Sequence, residues 1–241
     1  MKRVDYEIVI PIYNEGQNIL KVLRLLNIFV KYKVRVLLCY DLDDDDIFKF
    51  KNLLKKFKFE ILLIKNLKNG PCLAIKSGLQ AGNAKCVIVY PADDFLNHKI
   101  LDKMYEMYLE GSEIVVASRF IKGGSMKNCP LVKEVIVRLA SKTLFLFSSV
   151  PVQDASNGFR LFSRKLLNSV TIESKVGFAY SLELLVKCDR FGMKISEVPA
   201  QWEERSEGQS KFKLLKWLTQ YIKWYFYGLS TTWLNKKIKN E

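Results

Sequence analysis

The stretch Val34-Arg35-Val36-Leu37-Leu38-Cys39-Tyr40-Asp41-Leu42-Asp43-Asp44-Asp45-Asp46 runs from a mostly apolar segment straight into a cluster of carboxylates. Short β-branched runs bounded by polar residues read as buried strands. A second junction of this kind joins the apolar run Cys86–Tyr90 to Asp93-Asp94. In open α/β sheets ligands bind beyond the carboxyl ends of the strands. Acids gathered there point to a cation, or to sugar hydroxyls, held beside an anionic ligand.

The pattern around these two junctions alternates. Tyr6–Ile12 reads as a strand, and Ile19, Leu23, Leu26 and Val30 form a helical stripe over Glu15–Val30, with Asn14 as its N-cap. After the strand Val34–Tyr40 come a basic helix near Phe48–Phe57 and a strand at Phe59–Ile64. Asn69-Gly70-Pro71 then breaks the chain before a helix at Leu73–Ala81. Strand Cys86–Tyr90, helix Lys99–Leu109 and strand Glu113–Ala117 complete the alternation, which requires a mostly parallel sheet with helices on both faces. Beyond Ser118 the rhythm changes. A flexible Lys122–Ser125, a long helix Leu131–Phe147, a strand near Gly158–Phe162, a helix Tyr180–Arg190, a short strand Lys194–Val198 and a polar loop Glu203–Ser210 follow. No internal repeat is present, so one domain with a modified second half is expected.

The chain's 241 residues are 49% hydrophobic, enough for a substantial core. Its formal charge of +14 calls for a partner such as nucleic acid, an anionic membrane or a phosphorylated substrate. The five cysteines show no CxxC spacing and read as free thiols of a reducing compartment. The single histidine, His98, reads as a surface residue at a helix start, and a zinc site is not expected. No secretory leader is read at the start, and no run reaches the ~18 apolar residues of a spanning helix. A cytosolic or membrane-surface protein is therefore expected. GxGxxG, a Walker loop, RNP-like motifs and a helix-turn-helix are all missing, which argues against dinucleotide, NTPase and nucleic-acid functions.

On a helical wheel of Phe212–Phe226, Lys213, Lys216, Thr219, Gln220 and Lys223 share one face, while Trp, Tyr and Leu fill the rest. A wide aromatic face with a lysine edge suits an interfacial helix. A helix packed on its own core fits equally well.

The order of motifs is more specific than any one of them. Ile8-Val9-Ile10-Pro11-Ile12-Tyr13-Asn14-Glu15, Asn69-Gly70-Pro71 through Gly78, and Tyr90-Pro91-Ala92-Asp93-Asp94 come first. Ser118-Arg119-Phe120, Asp154 to Arg160, Glu197-Val198-Pro199 to Arg205, and Gly208-Gln209-Ser210-Lys211 follow. In this order the chain resembles the family-2 glycosyltransferases over roughly residues 5–215, and most closely their dolichyl-phosphate mannose synthase branch. The resemblance implies a GT-A fold: an α/β, Rossmann-like, mostly parallel sheet flanked by helices. The transferase domain would occupy residues 1–211, and residues 212–241 would form an amphipathic, basic and aromatic helical tail.

By resemblance, Pro11, Tyr13 and Glu15 would line the base and ribose pocket of a nucleotide-diphosphate sugar, GDP- or UDP-linked. Asp41, Ala92, Asp93 and Arg119 would complete the nucleotide-sugar side. Asp93, with Asp94 as an extra carboxylate, would hold Mg²⁺ or Mn²⁺, hard cations that prefer carboxylate and phosphate oxygens. The family's Asp-x-Asp is altered, because Pro91 stands in its first place. Metal binding would then rest mainly on Asp93 and the diphosphate. Arg205 and Lys211 would close over the diphosphate, making Asp93, Arg205 and Lys211 the catalytic set.

Arg119, Lys133 and Arg138 would meet the phosphate of a polyprenyl-phosphate acceptor at the cytoplasmic face of a membrane, with peripheral contact. A phosphate acceptor needs no strong base, whereas a hydroxyl acceptor would, and Glu183 is the candidate. Three further readings stay open: transfer to a glycan hydroxyl, an inactive nucleotide-sugar-binding protein, and solubility alone as the reason for the charge.

Overall fold

The computed structural model describes residues 3–66, 69–204 and 214–238, with side chains resumed from 218 in the last segment. Its order begins β1 (Tyr6–Ile12), α1 (Gly16–Phe29), β2 (Val34–Tyr40), α2 (Lys51–Leu54), β3 (Glu60–Lys65), α3 (Pro71–Ala81), β4 (Cys86–Val89), α4 (Ile100–Leu109) and β5 (Ile114–Ser118). It continues β6 (Ser125–Lys127), α5 (Leu131–Phe147), β7 (Arg160–Ser163), α6 (Arg164–Ser169), α7 (Ala179–Arg190), β8 (Ile195–Pro199), β9 (Gln201–Glu203) and α8 (Leu214–Trp233).

Seven strands form one sheet in the order β3-β2-β1-β4-β7-β5-β8. All neighbouring pairs run parallel except those made by β7, which is antiparallel to both β4 and β5. The expected parallel sheet is therefore mixed at one strand, and β7 enters from the opposite edge. β6 and β9 pair separately, overlapping the expected flexible stretch only at Ser125 and the expected polar loop only at Glu203. Three polar or amphipathic residues per strand offer no apolar alternation to read. The expected basic helix shortens to a 3-10 turn at Asp46–Phe50 and the single turn of α2. Lys51 and Lys55 would face each other at i,i+4 there, a repulsive spacing in a longer helix.

Each sheet face carries an apolar layer. One layer joins Ile8, Ile10, Val36 and Leu38 to Ile19, Leu23 and Leu26 of α1. The other joins Val9, Leu37 and Val87 to Ile75 and Leu79 of α3, and to Leu184 and Leu185 of α7. Trp224 and Leu229 of α8 belong to this second layer, and the Trp224 indole donates to Ser174 Oγ at 2.8 Å. The polar residues inside the strands are matched across the ladder. Glu7 and Arg35 are register partners, both without exposed surface, and their ion pair measures 2.9 Å. Glu7 also accepts from the Ala84 amide at 3.0 Å.

His98 departs from its expected surface position. It is buried with its ring 4.4 Å from that of Phe29, and burial lowers its pKa. All five cysteines are unpaired, and four are buried.

Gly78 sets how closely α3 approaches the sheet. A Cβ there would stand 2.6 Å from both Cys39 Sγ and Val9 Cγ1. Gly78→Ala should lower unfolding stability in urea by about 1–3 kcal/mol through overpacking. Unchanged stability would mean that the helix shifts away from the sheet at no cost.

Candidate active site

From β1 the chain moves outward through β2 to β3, then crosses back to β4 on the other side. The crevice outside the carboxyl ends of β1 and β4 is thus the switch point where α/β sheets take ligands. At the end of β1, Pro11 is half-buried and Tyr13 is 45% exposed. Glu15 accepts from the Asn18 side chain at 2.9 Å. Asn14 is not the helix cap expected of it: its φ of 51° lies in the left-handed region, which Asn tolerates. The cap comes instead from the acidic run. Asp46 Oδ1 accepts from the Gly16 amide, and Asp45 Oδ2 from the Asn14 amide, both at 2.9 Å. Asp43 pairs with Lys65 at 2.6 Å. Three members of the run are therefore structural.

Asp41, at the end of β2, accepts from the Gly70 amide at 2.8 Å and from Asn66 Nδ2 at 2.9 Å. Asn66 is buried and takes a further bond from Ser77 at 3.1 Å. Gly70, at φ 120°, requires glycine. Asp41 and Asn66 together fix the loop that opens α3 beside the crevice. The role of Asn66 was not legible in the sequence, where it reads as a loop residue.

At the end of β4, Ala92 is buried and Asp93 half-buried. The two carboxylates of this segment differ. Asp94 Oδ1 accepts from the amides of Leu96 and Asn97 at 2.9 and 2.8 Å, and Oδ2 from Asn97 Nδ2 at 2.6 Å. Burial raises its pKa more than these bonds hold it down. Asp94, expected as a second metal carboxylate, closes a turn. Among the described residues no group of three His, Cys, Asp or Glu is placed to hold a metal ion. A divalent cation fits here only as Mg²⁺ commonly binds, through one or two carboxylates and the substrate's phosphates. Asp93 is the residue read as the protein ligand of such an arrangement.

At the end of β5, Arg119 meets the loop preceding β7. Its Nε donates to Asp154 Oδ2 at 2.7 Å and its Nη2 to Asp154 Oδ1 at 2.8 Å, a bidentate pair with Asp154 fully buried. Glu197 on β8 accepts from the amides of Gln153 and Asp154 at 2.9 and 3.0 Å. The Asn157 side chain donates to the Ala117 carbonyl at 2.6 Å. Arg160, also fully buried, donates to the carbonyls of Ala155 and Ser181, and desolvation lowers its pKa to about 10. Three motifs far apart in sequence thus form one hydrogen-bonded plate at the same sheet edge as Asp93.

A model of "Glycosyl transferase family 2" matches residues 7–171. The chain belongs to this family. Among curated proteins, it is 25% identical to a dolichol-phosphate mannosyltransferase of Pyrococcus furiosus, over 95% of this chain and 70% of that one. It is 27% identical to a dolichyl-phosphate hexose transferase of Haloferax volcanii, over 86% of each chain. Among solved structures, glucosyl-3-phosphoglycerate synthase from Mycobacterium tuberculosis in complex with uridine-diphosphate superposes with TM-score 0.63. That match has 18% identity and covers 93% of this chain and 80% of the other. The same enzyme has been solved with Mn²⁺ and with Mg²⁺. The likeness establishes the GT-A fold, and the family makes the chain a nucleotide-sugar-dependent glycosyltransferase.

The cations read as acceptor contacts of this transferase sit close to the plate, and each has an acidic partner. Besides the Arg119–Asp154 pair, Lys133 pairs with Glu204 at 2.8 Å and Arg138 with Glu134 at 2.7 Å. Phe120 links two of them, its ring centroid lying 5.1 Å from the Arg119 guanidinium carbon and 4.6 Å from that of Arg138. Lys133 lies over the Trp202 ring at 4.8 Å. Glu183 is the residue read as a possible base. It has no exposed surface, and its oxygens take the amides of Glu173 and Ser174 at 2.6 and 2.8 Å and Lys187 Nζ at 2.7 Å. A carboxylate so engaged holds a loop. Arg205 and Lys211 lie outside the described residues.

Burial alone would raise the Asp154 pKa, but the Arg119 charge and hydrogen bonds hold it below the ordinary carboxylate value. A carboxylate depressed on folding stabilises above its unfolded value, near 3.9, and loses that contribution as pH falls further. Wild type should therefore lose stability below about pH 4 more steeply than Asp154→Asn. The variant should also be weaker at neutral pH by about 3–5 kcal/mol, because one partner of a buried pair is removed. Urea unfolding across pH would show both effects. Parallel acid limbs would contradict the assignment.

Proposed function

We propose that this transferase moves a sugar from a GDP- or UDP-linked donor to a polyprenyl phosphate, by single displacement with inversion, at the cytoplasmic face of a membrane. The observation that carries this reading is the commitment of the plate's carboxylates and of Glu183, the residue read as a possible base. Asp154 is held by Arg119, Glu197 by two amides, and Glu183 by two amides and Lys187. A hydroxyl acceptor needs a base to take its proton. A phosphate monoester, whose second pKa is about 6, is already an anion at neutral pH. Its oxygen attacks the sugar C1, the C1–O bond to the diphosphate breaks, and the nucleoside diphosphate leaves with the electron pair.

The donor's base and ribose are read as lying over Pro11 and Tyr13, near Glu15, with Asp41 and Asn66 fixing the neighbouring loop. Asp93 would hold Mg²⁺ or Mn²⁺ against the diphosphate, supplying positive charge where the leaving group's negative charge develops. Arg205 and Lys211 are read as adding to it. Arg119 and Arg138, sharing Phe120, would orient the acceptor phosphate, with Lys133 beside them. The dolichyl-phosphate relatives support the same acceptor class.

Incubation of the full chain with radiolabelled nucleotide sugars, polyprenyl phosphate and Mn²⁺ should move label into organic solvent. Asp93→Asn should reduce that transfer about 100-fold or more. Label that stays aqueous with every donor, or that moves only onto an added glycan, would overturn the acceptor reading.

A further inference from the structure

The main sheet ends in two edges of different character. On one side β8 carries Ser196 and Glu197 and closes on Pro199, and the Gln153 and Asp154 amides engage Glu197. Charged side chains and proline are usual devices that keep an edge from pairing with a foreign strand. On the other side stands β3, with four apolar residues in succession between Glu60 and Lys65. It carries no proline, and its register with β2 runs unbroken by any bulge.

Among the described residues no strand lies against the free side of β3. The Asn66 amide, next after the strand, bonds back to the Tyr40 carbonyl at the end of β2. Backbone groups point to alternate sides along a parallel ladder. Ile61 and Leu63 therefore turn their amides and carbonyls outward, away from β2.

Cover over this edge is thin, because the preceding segment makes only a 3-10 turn and the four residues of α2. Between α2 and β3 runs a groove of about 490 Å³, lined by Leu54, Phe59, Ile61 and Leu63 together with Lys51 and Lys55. Lys49, Lys51, Lys55 and Lys56 are all exposed. None of the four has an acidic partner among the described residues, and Lys51 rests on the Phe48 ring at 4.6 Å. The charges of the strand itself are already matched, Glu60 by Arg35 and Lys65 by Asp43.

We propose that β3 takes an added strand from a partner protein: an extended, acidic segment with apolar side chains at alternate positions. Its main chain would bond to Ile61 and Leu63, its apolar side chains would enter the groove, and its carboxylates would meet Lys51 and Lys55. In strand addition main-chain bonds give affinity, and pockets for alternate side chains give specificity. Charge argues against a second copy, since a two-fold pairing of β3 with itself sets the same lysines of both chains on one face of the joined sheet. A nucleic acid would answer the lysines but leave the backbone edge unpaired. β3 stands two strands away from β1, so this surface is separate from the crevice and independent of the acceptor reading.

The test uses the full chain and a fluorescent synthetic peptide of alternating glutamate and valine. Anisotropy should show saturable binding, and Lys55→Glu should weaken it about fivefold by turning an attraction into a repulsion. Lys142→Glu, an equal charge change at an exposed site on α5, should leave it unchanged. Both variants should melt as wild type does, since both lysines are exposed. Amide hydrogen exchange at Ile61 and Leu63 should slow about tenfold or more in the complex. No saturable binding up to about 1 mM peptide, equal effects of the two variants, or a complex that leaves those amides unprotected would overturn the proposal. So would protection that rises with protein concentration in the absence of peptide, which would give the edge to a second copy. Displacement of the peptide by an equimolar oligouridylate of equal charge would assign the lysines to nucleic acid and overturn it as well.

Discussion

The bidentate pair between Arg119 and Asp154 is the interaction on which the acceptor side of the crevice depends. It ties the end of β5 to the loop that turns the chain into β7, the one antiparallel strand of the main sheet. A buried ion pair is costly to desolvate, and leaving either partner alone is costlier still. The surrounding bonds make this one tolerable. Asp154 also accepts from the Arg119, Ser156 and Asn157 amides, while Ser156 Oγ takes a bond from the guanidinium. A charged pair with so many geometric demands admits few alternative arrangements of the loop. It holds Arg119 in place with its charge largely balanced.

The donor side is built on a different principle. There the carboxylates hold backbone, and the backbone shapes the crevice. Asp46 caps the start of α1 and Asp45 holds the turn before it, Asp41 fixes the loop before α3, and Asp94 closes the turn after β4. Of the acids that make this edge conspicuous, Asp93 is the one read as a cation ligand, and the substrate's own phosphates would complete its shell. The substitution of Pro91 for the family's first acid fits this economy of protein ligands.

The strands and their alternation with helices were largely legible because parallel strands buried on both faces are long apolar runs, and β1 and β2 match the sequence reading residue for residue. The site was legible in part. A capping carboxylate and a ligand carboxylate have the same composition. That Asp45 and Asp94 hold turns depends on amides that only folding brings near. Glu183 shows the same limit: its i,i+4 partner Lys187 was visible, but the amides of Glu173 and Ser174 that complete its shell were not. The open edge of β3 was hidden for another reason. An apolar run tells which residues want cover, and only the packed structure shows that the cover is thin.

The account's central claim is that a nucleoside diphosphate binds at the switch point between β1 and β4 with Asp93 as the cation's protein ligand. Thermal unfolding with GDP or UDP, with and without Mn²⁺, tests it most directly, since a ligand of the native state raises the melting temperature by mass action. One of the two nucleotides should raise the melting temperature of the wild type, more so with Mn²⁺, and the Mn²⁺-dependent part should vanish in Asp93→Asn. No shift with either nucleotide, or a Mn²⁺-dependent shift that survives the substitution, would contradict the account.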